Sequence, residues 1–166
     1  MKEKVLIIGG TGFIGYHLSK KCSHKYSVTS VSLNKPSKKN TIKEVKYIQC
    51  DISSKEDLKK RIKNNFDIII NLGGYINHTN KNLAIKTHYK GCKNLINQFK
   101  ENKIKIFIQI GSSTEYGKQK SPNTENNRGK PSTIYAKSKL MASQYLTNFK
   151  KQNNFPYVIL RFYQIY

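Results

Sequence analysis

Several things are scarce or missing in this chain, and each absence narrows what it can be. There are three cysteines, Cys22, Cys50 and Cys92, odd in number, widely spaced and without a CxxC pair. That usage excludes a disulfide framework and a cysteine zinc site, and it predicts a reducing cytoplasm as the compartment. No apolar run exceeds five residues, so none is long enough to span a membrane. The run behind Met1-Lys2-Glu3-Lys4 also falls short of the ~7 to 15 apolar residues of a secretory leader. His17, His24, His78 and His88 show no metal-ligand spacing, and no metal is expected. Tryptophan is absent, and long linkers and internal repeats are missing too.

Acidic residues are the most conspicuous shortage, with 9 Asp plus Glu against 31 Lys plus Arg, for a net charge of +22. Such an excess attracts anions and raises the possibility of an RNA or other anionic-polymer binder. Only Arg61, Arg128 and Arg161 are arginines, however, and the lysines are scattered through every segment instead of forming one block. The pattern reads as a solvated basic surface that steers anionic substrates, with no specific nucleic-acid partner and no membrane partner expected.

What is present suits one α/β unit. A chain of 166 residues with 37% hydrophobic content buries one ordinary core. Apolar patterning predicts strands at 4–8, 27–33, 45–50, 67–72, 105–110 and 157–162, and helices at 12–22, 54–64, 80–102 and 133–153. Ser53 followed by Glu56 reads as a capping box for the second helix. This alternation predicts a doubly wound parallel sheet of the Rossmann type, with ligands at the carboxyl ends of its strands. Segment 117–132 is polar, holds Pro122, Gly129 and Pro131, and is expected to be a mobile loop bordering the site.

Two motifs carry chemistry. Gly9-Gly10-Thr11-Gly12-Phe13-Ile14-Gly15 follows the apolar run Val5-Leu6-Ile7-Ile8 and opens a helical pattern. Gly9 would allow the tight turn, Gly12 the approach of backbone to a pyrophosphate, and Gly15 the packing of helix on sheet. The pyrophosphate would then lie on unpaired helix amides. Far downstream, Tyr135 and Lys139 are four residues apart and share one face of a helix. A free phenol has a pKa of about 10, but a nearby ammonium and an oxidised nicotinamide both favour the phenolate. Tyr135 is thereby suited to exchange a proton with a substrate hydroxyl or carbonyl, with Lys139 lowering its pKa and holding the ribose hydroxyls.

Together, GGTGFIG and the later YxxxK resemble the extended short-chain dehydrogenase/reductase family, which includes NAD(P)-dependent sugar-nucleotide epimerases, dehydratases and reductases. The resemblance continues in family order. Asp51-Ile52 looks like the adenine-contacting pair, and Ile70-Asn71-Leu72-Gly73-Gly74 resembles "NLAA", with Gly73 and Gly74 in place of the small alanines. Gly91-Cys92-Lys93-Asn94-Leu95 is similar to "GTxNLL", and Gly111-Ser112-Ser113-Thr114-Glu115-Tyr116-Gly117 is similar to "SSxxVYG". Leu160-Arg161-Phe162-Tyr163-Gln164-Ile165-Tyr166 looks like "LRxxNVYG" up to its glycine.

The resemblance implies that Ser112, Tyr135 and Lys139 are catalytic, with Ser112 donating a hydrogen bond to the reacting oxygen. It also implies a cofactor cradle of Gly9, Thr11, Gly12, Phe13, Ile14, Gly15, Asn34, Lys35, Asp51, Ile52, Leu72, Gly73 and Gly74, joined by Tyr135 and Lys139. The dehydratases of this type carry an Asp-Glu pair after the hydroxyl residue, and this chain has Ser113-Thr114 there, so epimerase or reductase ranks above dehydratase. NAD enzymes place an acid at the end of the second strand. Leu33, Asn34, Lys35, Pro36, Ser37, Lys38 and Lys39 contain none, which favours NADP over NAD.

A nucleotide-diphosphate sugar is the implied substrate, and a homodimer through the helices carrying Leu95, Ile96, Phe99, Leu140, Tyr145, Leu146 and Phe149 is the implied assembly. Cys92 is expected to be a small core residue. The family's substrate-recognising part lies mostly beyond the point corresponding to Tyr166, so the expectation is one NAD(P)-binding domain over 1–166, truncated before that part. A catalytically silent NADP(H)-binding module that regulates a partner is the principal rival reading, and the anionic-polymer binder is the second.

Overall fold

Val5, Leu6, Ile7 and Ile8 are each 2% exposed or less, as a strand covered on both faces requires. They form β1 (Lys4–Ile8), at the centre of a six-stranded, all-parallel sheet. The computed structural model describes residues 2–63, 65–75, 80–127 and 129–165. The sequence readings that fall on Asn64, His78, Arg128 and Tyr166 lie outside the described residues.

The chain runs β1, α1 (Phe13–Ser23), β2 (Ser27–Ser32), β3 (Val45–Gln49), α2 (Lys55–Arg61), β4 (Ile68–Asn71), α3 (Lys81–Ile85), α4 (Gly91–Phe99), β5 (Ile106–Ser112), α5 (Ile134–Asn153) and β6 (Tyr157–Phe162). Strand order is β3-β2-β1-β4-β5-β6. The winding direction reverses between β1 and β4, which opens a crevice at their carboxyl ends. This is the doubly wound Rossmann-type sheet expected from the alternation of elements.

Leu6, Ile8, Val31, Ile69 and Phe107 point to one face, where Leu58 and Ile62 of the α2 region, Leu95, Ile96 and Phe99 of α4, and Ala142 and Leu146 of α5 cover them. Val5, Ile7, Val28, Val45 and Ile70 line the other, with Leu18 and Cys22 of α1 packed against them. Cys92 is fully buried in the first of these cores, as expected of a small apolar residue. Among the described residues no helix is long and apolar enough to cross a membrane.

Two expectations about helices need correction. The single helix expected over 80–102 is interrupted at Lys86–Lys90 by a π turn between α3 and α4, which a count of apolar positions does not reveal. The cap of α2 is Ser54, not Ser53. The Ser54 hydroxyl accepts the Asp57 amide hydrogen at 3.2 Å, whereas the Ser53 hydroxyl is committed to Asp51 Oδ1 at 2.5 Å. Asp57 in turn accepts the Asp51 amide at 2.8 Å, so the local acids move the helix start by one residue.

Candidate active site

In the turn after β1, Gly9, Gly10 and Gly15 leave no room for a Cβ. Gly9 has φ of +77°, a conformation L side chains rarely adopt. Its amide donates to Val31 O at 2.7 Å, and the Gly12 amide donates to Gly9 O at 3.0 Å. A Cβ on Gly15 would lie 2.2 Å from Gly9 O and 2.6 Å from Gly10 Cα. The first turn of α1 therefore presses directly on the loop. Gly12 caps α1 without any side-chain hydrogen bond, and no acid lies in its first turn. The helix thus presents amide hydrogens and positive dipole density to an anion. Thr11 is held by its amide on Ser32 Oγ, 3.2 Å away.

A cavity of about 550 Å³ opens above this turn, at the carboxyl ends of β1, β2, β4 and β5. Gly9, Thr11, Gly12, Phe13, Ile14, Gly15, Asn34, Asp51, Ile52, Leu72, Gly73 and Gly74 all line it, together with Ser112, Tyr135 and Lys139. Of the residues expected in the cradle, only Lys35 is not in the wall; it is exposed outside the cavity. No described residue of 117–132 lines the cavity. Val31, Ser32, Leu33, Tyr75, Thr87, Phe162, Tyr163 and Ile165 complete much of the wall without having been anticipated. Their common signal is position, since most sit at or just past the carboxyl end of a strand.

Charge is sparse inside. Asp51 and Lys139 are the only carboxylate and ammonium among the described lining residues. Burial works against the Asp51 charge. Hydrogen bonds from the Ser53 hydroxyl and amide, with the Lys86 ammonium at 3.4 Å, outweigh it and hold the carboxyl below its ordinary range. Helix amides at the start of α1, loop glycines at Gly9 and Gly15 that leave no room for a Cβ, and largely apolar walls fit a dinucleotide.

Ser112 closes β5 and is buried. Its hydroxyl lies 2.8 Å from Thr114 Oγ1 and accepts the Thr114 amide at 3.3 Å. Lys139 is 5% exposed, and its ammonium donates to Ile110 O at 3.0 Å. Burial lowers its pKa to about 8, against the opposing pull of Glu115 and Cys92. The phenol departs from expectation, because its pKa is raised. Burial is the largest cause, the nearby Ser112 hydroxyl acts the other way, and Glu115 adds to the rise. The protein thus favours the neutral phenol. Cys92, beside Lys139, has its thiol pushed up by burial to about 12, which makes it inert.

His88 is buried and packs between elements. It lies in the π turn, 2% exposed. Nε2 accepts the Tyr75 amide hydrogen at 2.9 Å, and Nδ1 lies 2.7 Å from Ser138 Oγ. Ser138 spends its hydroxyl hydrogen on Tyr135 O at 2.8 Å, so the imidazole donates from Nδ1 and accepts at Nε2. The ring also meets that of Tyr135 edge-on, 5.2 Å between centroids. His88 therefore ties the segment after β4 to the start of α5.

Comparison with known proteins gives a consistent picture. The model of the NAD dependent epimerase/dehydratase family matches residues 5–166. An uncharacterized protein of Methanocaldococcus jannaschii is 31% identical over 171 residues, a match covering 87% of this chain and 52% of that protein. The UDP-N-acetylglucosamine 4-epimerase of Methanobrevibacter ruminantium superposes with a TM-score of 0.87 at 23% identity, over 100% of this chain and 56% of that one. The UDP-glucuronic acid 4-epimerase of Bacillus cereus in complex with NAD gives 0.84 at 22% identity, over 98% and 57%. The chain spans about half the length of the curated relatives it matches.

Proposed function

The chain belongs to the NAD dependent epimerase/dehydratase family, and we propose that in the whole protein it forms the cofactor-binding and proton-transfer half of an NAD(P)-dependent epimerase or reductase for a nucleotide-diphosphate sugar. The observation that carries this reading is the convergence of Ser112, Tyr135 and Lys139 on the same cavity as the glycine turn. Relatives named for UDP-sugar epimerisation, and an NAD complex of one of them, support it further.

When bound, the nicotinamide supplies the hydride acceptor and donor. The chain's own residues manage the proton. Tyr135 exchanges it with the sugar hydroxyl, Ser112 donates a hydrogen bond to the same oxygen, and Lys139 provides the positive charge that supports the phenolate. Glycine-loop amides hold the pyrophosphate, and Asp51 with Ile52 faces the adenine end. Absence of an acid at the end of β2 still favours NADP(H) over NAD(H), now on Leu33 and Asn34 alone, because Lys35 lies outside the cavity. Homodimerisation on the α4–α5 side is part of the proposal, supported by the half-buried aromatic side chains of Tyr89, Tyr145 and Phe149.

The deciding experiment is turnover of a panel of nucleotide-sugars by the whole protein, beside dinucleotide binding by fluorescence. Tyr135→Phe should lower kcat by about a hundredfold or more and leave the dinucleotide Kd within a few-fold. Binding without turnover, indifferent to Tyr135→Phe, would replace the enzyme with a silent regulatory module.

A further inference from the structure

Directly behind Ser112 lies a carboxylate that the proposed chemistry does not use. Glu115 is 0% exposed, in the single 3-10 turn that follows β5. One oxygen, Oε1, accepts the Ser112 amide hydrogen at 2.8 Å. The other, Oε2, accepts from Ser143 Oγ at 2.9 Å and from Arg161 Nε at 3.1 Å. Ser143 stands one helical turn beyond Lys139 on α5, and Arg161 is on β6, where its guanidinium also donates to the Tyr116 hydroxyl at 3.2 Å. One side chain thus joins the end of β5, the face of α5 that carries Lys139, and the neighbouring strand.

Room for it comes from Gly111. A Cβ there would lie 2.5 Å from Glu115 Oε1, closer than any real contact. This chain departs from the pattern SSxxVYG at both of these positions, and here the small residue at 111 leaves the space that the Glu115 carboxylate fills. A buried carboxylate costs several kcal/mol unless paired and fully hydrogen-bonded, and valine would fill the space without that cost. We propose that Glu115 is a positioning residue: it fixes the backbone of Ser112 at the end of β5 and sets the charge environment of the Tyr135–Lys139 pair, with Gly111 kept small to admit it.

This inference rests on the reading of Ser112, Tyr135 and Lys139 given above. Among the described residues, the groups facing that pair include Ser112 at the end of β5, Glu115 in the turn after it, His88 in the π turn and Cys92 on α4, with Arg161 on β6 paired to Glu115. Of these, the Glu115 anion raises both Tyr135 and Lys139. Its removal therefore lowers both.

The test uses the whole protein with Glu115→Gln, Gly111→Ser, Glu115→Val and the double variant Gly111→Ser/Glu115→Val. Glu115→Gln should cut kcat by about tenfold to a hundredfold with KM little changed, since a small misplacement of reacting groups has that effect. Both limbs of its kcat–pH profile should move to lower pH. Phenolate titration, read as the ultraviolet difference between otherwise identical proteins with and without Tyr135→Phe, should show the same acid-ward shift without needing turnover. By thermal melting, Gly111→Ser alone should be clearly destabilised, and the double variant should regain most of that loss while keeping the titration shift.

An unshifted titration, or Gly111→Ser and Glu115→Val effects on melting that simply add, would overturn the proposal. Should Tyr135→Phe leave turnover intact while titration and melting behave as expected, the assignment of Tyr135 falls and Glu115 is shown to set the charge environment alone.

Discussion

Gly15→Ala tests the packing of helix on glycine loop with one added methyl group. That methyl would sit 2.2 Å from Gly9 O and 2.6 Å from Gly10 Cα, whereas ordinary contact begins at 3.4 Å. Both obstacles are backbone, so relief requires α1 to move off the loop by more than 1 Å. Overpacking of this kind costs about 1 to 3 kcal/mol, and each kcal/mol shifts Tm by roughly 2 to 4 °C in a chain of this size. The same movement takes the α1 amides away from the pyrophosphate, so dinucleotide Kd should rise at least tenfold, or about 1.4 kcal/mol. Gly74→Ala is the control: it lines the same cavity, but its added Cβ meets nothing nearer than 3.6 Å. Differential scanning fluorimetry and NAD(P)H fluorescence titration on both variants give the comparison. If Gly15→Ala melts and binds like the parent, or if Gly74→Ala is equally impaired, the glycine loop is not the cradle described.

Two further predictions concern charge. Asn34→Asp places a carboxylate in the cavity wall just past β2 and should shift cofactor preference toward NAD(H) by about tenfold through repulsion of the 2′-phosphate; an unchanged ratio of Kd values would place the adenosine ribose elsewhere. Lys139→Met should abolish turnover yet raise Tm at pH 7. The folded pKa of Lys139 is lowered to about 8 from an ordinary value of about 10.4, so the unfolded chain holds that proton more tightly. Burial of the ammonium costs stability below about pH 8, and the cost is relieved as pH rises toward 10. The gain in Tm should therefore shrink over that window, and a variant that melts lower than the parent at every pH would contradict it.

These positions differ in how far they could be read from the chain. The glycine turn was legible because its constraint is local: a positive φ at Gly9 and a helix seated on Gly9 and Gly10 concern residues within a few places of each other. The strands were legible for a similar reason, since burial on both faces demands continuous apolar runs such as Val5 to Ile8. Ser54 was missed by one residue because Asp51 and Asp57 compete for the neighbouring donors, a contest that composition does not settle. Lys35 lies outside the cavity wall, since a lysine near a strand end has no preference for facing it. The hydrogen bonds of His88 and Glu115 lay beyond reach. Their partners are 50 residues away at Ser138, and 28 and 46 away at Ser143 and Arg161. Periodicity reports which face of an element is apolar; it carries no record of a polar side chain whose bonds close only when three elements meet. That is why the residues proposed for proton transfer could be named from a short motif, while the groups proposed to hold them in register could not.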